Sequence, residues 1–148
     1  MTSDLVRRAD PADLDRVVAM NRTFCELDRH PFDERRARAA FAPLLADDTH
    51  GVVWVTDEPE SYAVLTWGWS IEAGGLEAVL DEIFVNERGE GHGSALIDHL
   101  VADAEQRGLA RIVLETESHN ERARRFYEHH GFVVDDSTWM SREFIDLS

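Results

Sequence analysis

Ile83-Phe84-Val85-Asn86-Glu87-Arg88-Gly89-Glu90-Gly91-His92-Gly93-Ser94 joins a short apolar strand to an arginine, then to a glycine at every second position, then to an amphipathic helix. Alternate glycines let backbone N–H groups turn inward and approach a ligand closely. The helix that follows offers unpaired donors and the positive end of its dipole. Together these features predict a phosphate or pyrophosphate site at this strand–loop–helix junction. Such a site stands out in a chain with 30 acidic residues against 15 arginines and no lysine, a formal charge of −15.

The spacing excludes two familiar phosphate loops. A Walker loop ends in Gly-Lys-Ser/Thr, which a lysine-free chain cannot supply. A dinucleotide fingerprint requires Gly-x-Gly-x-x-Gly, but counting from Gly89 the last glycine falls on Ser94, and from Gly91 on Leu96. What remains is Arg-Gly-x-Gly-x-Gly between strand and helix.

Outward from the loop, hydrophobic periodicity gives the rest of the frame. Leu5–Ala9 reads as a strand, and Asp10-Pro11-Ala12-Asp13 as a helix start with Asp10 as cap. Leu14, Val17, Val18, Met20, Phe24 and Leu27 recur at helical spacing up to Pro31. Asp33 caps a second helix to about Leu45, which Pro43 kinks or ends. Val52–Thr56, Tyr62–Ser70 and Leu76–Val85 read as strands separated by turn residues. A helix over Ser94–Arg107, stopped by Gly108, leads to a strand at Arg111–Thr116. Ser118 and Glu121 are spaced for a capping box, with the helix ending at Gly131. Phe132–Val134 and Thr138–Phe144 read as a final pair of strands. The unit from Leu76 to Thr116 is strand–helix–strand and predicts two parallel neighbours, with the rest of the sheet mainly antiparallel. The size and the single apolar pattern predict one domain over residues 1–148.

Two blocks carry a resemblance. Arg88, Gly91 and Gly93 match Arg/Gln-x-x-Gly-x-Gly/Ala, the diphosphate loop of the GNAT superfamily of acetyl-CoA-dependent N-acyltransferases. Asn120-Glu121-Arg122-Ala123-Arg124-Arg125-Phe126-Tyr127-Glu128-His129-His130-Gly131-Phe132 resembles the family's Asn-x-x-Ala-x-x-Phe/Leu-Tyr-x-x-x-Gly-Phe segment. The opening strand and turn around Leu5–Leu14 are similar as well. The resemblance implies an α/β (α+β) fold with a mixed, mostly antiparallel sheet of about six to seven strands, one parallel strand–helix–strand unit and about four helices. It also implies that the two parallel strands splay apart around the pantetheine arm of acetyl-CoA.

The same resemblance distributes roles. The loop residues Arg88, Gly89, Glu90, Gly91, His92, Gly93 and Ser94 hold the diphosphate. The backbone of Phe84 and Val85 pairs with pantetheine, and Asn120 touches the donor. Tyr127 is the general acid: a phenol near pKa 10 can protonate a departing thiolate. The base is left between Asp81 and Glu82, with Glu77 as a further candidate; strand alternation predicts that Asp81 and Glu82 point to opposite sides. Phe24, Asp28, His30, Phe32, Trp67, Trp69 and Glu72 are substrate candidates, since aromatics with acids suit a cation. The family usually has four residues between the strand-end valine and the loop arginine, whereas only Asn86 and Glu87 separate Val85 from Arg88. Either the turn is shorter, or the strand is displaced by two residues and Ile83 takes the place of Val85.

The expected activity is acetyl transfer from acetyl-CoA to a small cationic primary amine by direct attack. A protein N-terminus, a lysine or an antibiotic amine as acceptor, and a non-catalytic acyl-CoA-binding or sensor module, are the alternatives. Cys25, the only cysteine, sits in an apolar stripe and reads as core. No spacing suggests a metal site. The acidic surface argues against nucleic acid, absence of a long apolar run argues against a membrane span, and no basic-then-apolar leader is seen, which together predict a cytoplasmic protein. The acidity itself suits a salt-rich cytoplasm or GC-rich genome, or attraction of a cationic substrate. Homodimers are common among relatives.

Overall fold

A computed structural model describes residues 5–86 and 91–145. It divides into two compact units between Glu115 and Thr116.

In the first unit, β1 (Arg7–Arg8), β2 (Gly51–Asp57), β3 (Glu60–Ser70), β4 (Gly75–Val85) and β5 (Arg111–Val113) lie in the order β1-β2-β3-β4-β5. All neighbours are antiparallel except β4 and β5, which are parallel. The mixed sheet and the parallel unit agree with the sequence reading; the described residues contain five strands where six to seven were expected.

Helix α1 (Leu14–Asp28) is entered through a 3-10 turn at Pro11–Asp13. Asp10 accepts from the Ala12 N–H, and Asp13 accepts from the Asp10 N–H, so two otherwise orphaned donors are satisfied. The helix ends at Arg29, which adopts a left-handed conformation (φ 57°), two residues before the Pro31 that the sequence suggested as its stop. Helix α2 (Glu34–Ala46) starts where Asp33 accepts from the Arg36 N–H. It runs through Pro43 without ending there. An interior proline costs about 3 kcal/mol, and burial of Leu44 and Leu45 just beyond it offsets that cost. The last carbonyls of α2, at Leu44 and Leu45, accept from the Arg8 guanidinium.

α1 and α2 cover one sheet face. Val17, Val18, Met20, Phe41, Leu44 and Leu45 pack there against Val53, Val55, Tyr62, Val64 and Phe84. α3 (His92–Gln106) turns Leu96, Ile97, Leu100 and Ala104 inward, and His99 meets Trp54 of β2 at 4.4 Å between ring centroids. β2 is therefore buried on both faces. α3 starts two residues earlier than the Ser94 predicted, within the glycine run.

Asp13 is 5% exposed and grips Arg7 with both oxygens at 2.8 and 2.9 Å. The Arg7 hydrogen bonds hold its carboxyl below the usual carboxylate range. A folded-state value below the unfolded one gives stability that is present above the unfolded pKa and is lost as pH falls through the folded one. Asp13→Asn should lower the unfolding free energy by about 1–3 kcal/mol at neutral pH. In urea titrations, its difference from wild type should shrink below about pH 4.

The second unit holds α4 (Glu121–His129). Its cap is Asn120, whose side chain accepts from the Ala123 N–H at 3.0 Å, in place of the expected Ser118 cap. The strands expected at Phe132–Val134 and Thr138–Phe144 are absent: those residues carry no ladder, and Val133, Met140 and Phe144 are each more than 80% exposed. Alternation marks a segment that can be a strand, but a strand exists only when a neighbour satisfies its N–H and C=O groups. Among the described residues, no helix is long and apolar enough to cross a membrane.

Candidate active site

β4 and the start of α3 build the first half of the site. The parallel ladder joins Glu77, Ala78 and Val79 to Arg111, Ile112 and Val113 and then stops. Leu80–Val85 continue as strand, paired only with β3. Past Val79 the outer edge of β4 has no strand partner among the described residues of this unit, and this is the stretch where the family resemblance implies a divergence. Phe84 and Val85 lie on that stretch; the Phe84 side chain is buried beneath it, beside Tyr62.

Beyond Asn86 the chain reaches Gly91, the N-cap of α3 (φ 80°), where a Cβ would meet nothing within 4 Å. Gly91, as N-cap, has no side chain to close this helix end. A glycine-capped helix terminus following β4 fits a diphosphate, and the outer edge of β4 fits an extended pantetheine arm. His92, Gly93 and Ser94 form the first turn of α3; Glu87, Arg88, Gly89 and Glu90 lie outside the described residues. An alanine at Gly91 would be forced into the left-handed region at about 1–2 kcal/mol. Gly91→Ala should therefore raise the KM for acetyl-CoA roughly tenfold, measurable by steady-state kinetics.

The second half is a cavity of about 190 Å³ between α1, α2, β3 and β4. Phe32, Ala37, Phe41, Leu44 and Val64 give it an apolar wall, and Asp81 and Glu82 close one side. Both carboxylates line the same cavity, which corrects the expectation of opposite faces. The reason is a β-bulge. Leu65 pairs with Leu80 and Val64 with Glu82, so Asp81 is an extra residue with no partner on β3. The bulge breaks the two-residue alternation and re-aims the pair.

Glu82 sits in a polar cluster. Its Oε1 accepts from the Tyr62 hydroxyl at 2.8 Å and from the Asn21 amide at 3.0 Å; the Asn21 amide also donates to the Tyr62 oxygen at 3.3 Å. Burial raises the Glu82 carboxyl above its usual range, against the Tyr62 hydrogen bond and with added repulsion from Asp81. Asp81 reaches solvent at the cavity edge, yet the surrounding protein displaces enough water to raise its carboxyl too. Burial and then repulsion from the charges of Glu82 and Asp28 push the Cys25 thiol up, and the thiol donates to the Asn21 carbonyl oxygen at 3.9 Å.

Of the remaining candidates in the first unit, none of those that follow lines this cavity. Phe24 packs on the core. Asp28 pairs with His30 at 2.7 Å in solvent. Trp67 donates its indole N–H to the Asp48 carbonyl and carries the Arg107 guanidinium 5.0 Å above its ring, while Trp69 is 74% exposed. Glu72 and Glu77 are held by Arg111 at 2.7 and 2.8 Å. In the second unit, Tyr127 packs against Phe126 and Phe132, and burial pushes its phenol up. Sequence reasoning missed Asn21 and Tyr62. The available signals were an amide inside the buried α1 stripe and a tyrosine in a buried strand, where its hydroxyl requires a partner. Among the described residues, no three His, Cys, Asp or Glu side chains converge as a metal site.

Residues 17–132 match the acetyltransferase (GNAT) family, and the chain belongs to it. It is thus an N-acyltransferase that uses acetyl-CoA as donor. Among solved structures it resembles an integron cassette protein, HFX_CASS3, from the mobile metagenome of Cole Harbour Salt Marsh (27% identity, 95% of this chain and 91% of that one, TM-score 0.84). It also resembles an inferred acetyltransferase from Arthrobacter sp. FB24 (29%, 97% and 98%, TM-score 0.84). The aminoglycoside N-acetyltransferase AAC(6')-Iy in complex with CoA shares the fold (15%, 98% and 97%, TM-score 0.78). No curated protein matches.

Proposed function

We propose that the protein acetylates a small primary amine by direct attack on the thioester of acetyl-CoA, in a single catalytic domain. The observation that carries this reading is the cavity: an apolar wall for a compact organic body, with Asp81 and Glu82 together at one side to receive an ammonium group. Its volume is close to the ~150 Å³ that accommodates benzene in an engineered site, which favours a compact monoamine over an aminoglycoside. The family match crosses the boundary between the two units, which supports one domain.

Most of a primary amine is protonated at neutral pH, so it must lose a proton before attack. Glu82 takes that proton and Asp81 holds the cation at the cavity edge. The amine nitrogen forms its bond to the thioester carbon, the carbon–sulfur bond breaks, Tyr127 gives its proton to the departing thiolate, and the second proton shed by the nitrogen passes through solvent to restore the Tyr127 phenol. The raised phenol keeps Tyr127 in the proton-donating form at neutral pH. Cys25, a buried thiol with little thiolate character, is a poor acyl carrier, which favours direct transfer. Trp67, Trp69, Glu72, Phe24 and Asp28 have weaker support as acceptor contacts, because none lines the cavity.

Release of free CoA thiol over a panel of amines tests the proposal. Compact arylalkyl and branched alkyl amines should turn over best, and large polycations poorly. Equal rates for aminoglycosides and compact amines would contradict it.

A further inference from the structure

We propose that Tyr62 and Asn21 are positioning residues for Glu82: they lock one of its carboxylate oxygens and leave the other as the proton acceptor facing the amine. This rests on the reading above, in which Glu82 is the base.

Both donors converge on Oε1 from different elements. Tyr62 comes from β3 and is wholly buried, so its hydroxyl is fixed by the sheet. Asn21 comes from the buried stripe of α1, and its amide bridges Oε1 and the Tyr62 oxygen. The Asn21 carbonyl oxygen faces the Cys25 thiol, so the amide is oriented with its nitrogen towards Glu82. A carboxylate with two donors on one oxygen cannot rotate without breaking both bonds. Its second oxygen is then held at one place in the cavity wall, which is what proton transfer in a near-attack arrangement requires. Two donors also favour the charged form and so oppose the effect of burial on Glu82.

Other titratable and charged groups face Glu82 or its cavity: Asp81 on its own strand, Cys25 and His30 from α1 and the turn after it, and Asp33 and Arg36 at the α2 start, which line the cavity. Tyr62→Phe and Asn21→Leu leave all of these in place. Tyr62→Phe removes only a hydroxyl from a packed ring, so it retains the core shape that folding needs.

Carbon-13 NMR titration of protein labelled at glutamate carboxyls, with the Glu82 signal identified by its loss in Glu82→Gln, reads the result without any acceptor. A hydrogen bond to a charged group corresponds to about one pH unit or more. The Glu82 midpoint should therefore rise by that amount in each variant. With acetyl-CoA and 2-phenylethylamine as the acceptor probe, the acid limb of kcat/KM should move upward in parallel. A merely structural role would lower the folded fraction and leave the midpoint where it is.

Unmoved Glu82 midpoints in the folded variants would overturn the inference. If one variant fails to fold, the other decides alone. Full turnover by Glu82→Gln would instead sink the base assignment, so the two failures are distinguishable.

Discussion

Glu82→Gln should lower kcat/KM by about 10²–10⁴-fold at neutral pH, the usual contribution of a positioned general base. The pH profile carries the sharper signature. A base works only when deprotonated, so activity must rise with pH through the carboxyl's own pKa. Burial, aided by Asp81, places that value above the ordinary range. The acid limb should therefore lie above the ~4.3 of a free glutamate, and it should vanish in Glu82→Gln. Asp81→Asn should do the reverse: by removing repulsion it lowers the Glu82 limb, and it weakens amine binding. A Glu82→Gln enzyme that keeps wild-type kcat/KM and an unchanged acid limb would assign the base elsewhere.

Tyr127→Phe is expected to reduce kcat by about 10²-fold or more through loss of the general acid, with the dissociation constant of acetyl-CoA little changed. The ring contacts with Phe126 and Phe132 survive in this variant, so folding is spared. Because burial raises the phenol, wild-type activity should persist to above pH 10 before the donor is lost. Steady-state kinetics from pH 6 to 11 measure both effects. Equal kcat for the two enzymes at every pH would remove Tyr127 from the chemistry.

The local features of this fold were legible. Glycine punctuation fixed the β4-to-α3 junction, and the apolar stripe of α1 fixed its inward face. Asp10 and Asp33 marked where the first two helical segments start. Local signals lose force where several capping residues compete, as at Ser118 and Asn120. They also fail where a strand depends on a distant partner, as in residues 132–145. The candidate site was legible only in part. The carboxylates at Asp81 and Glu82 were visible, but nothing in Leu80-Asp81-Glu82 announces that one residue is extra in the ladder. Alternation therefore sent them to opposite faces. The cavity was invisible for a similar reason: it exists only where Asn21, Phe41, Val64 and Glu82 converge from four elements and Phe32 from the turn between α1 and α2. Trp67 and Trp69 attracted notice by residue type, whereas their surroundings are an arginine, a carbonyl and solvent.

Acetyl-CoA consumption in the presence of compact primary amines, followed as free thiol, bears most directly on the central claim that this cavity delivers a deprotonated amine to the thioester. Amine-dependent release that saturates, collapses in Glu82→Gln and is slow with large polycations is the predicted result. Tight binding of acetyl-CoA with no amine-dependent thiol release from any member of the panel would contradict the account.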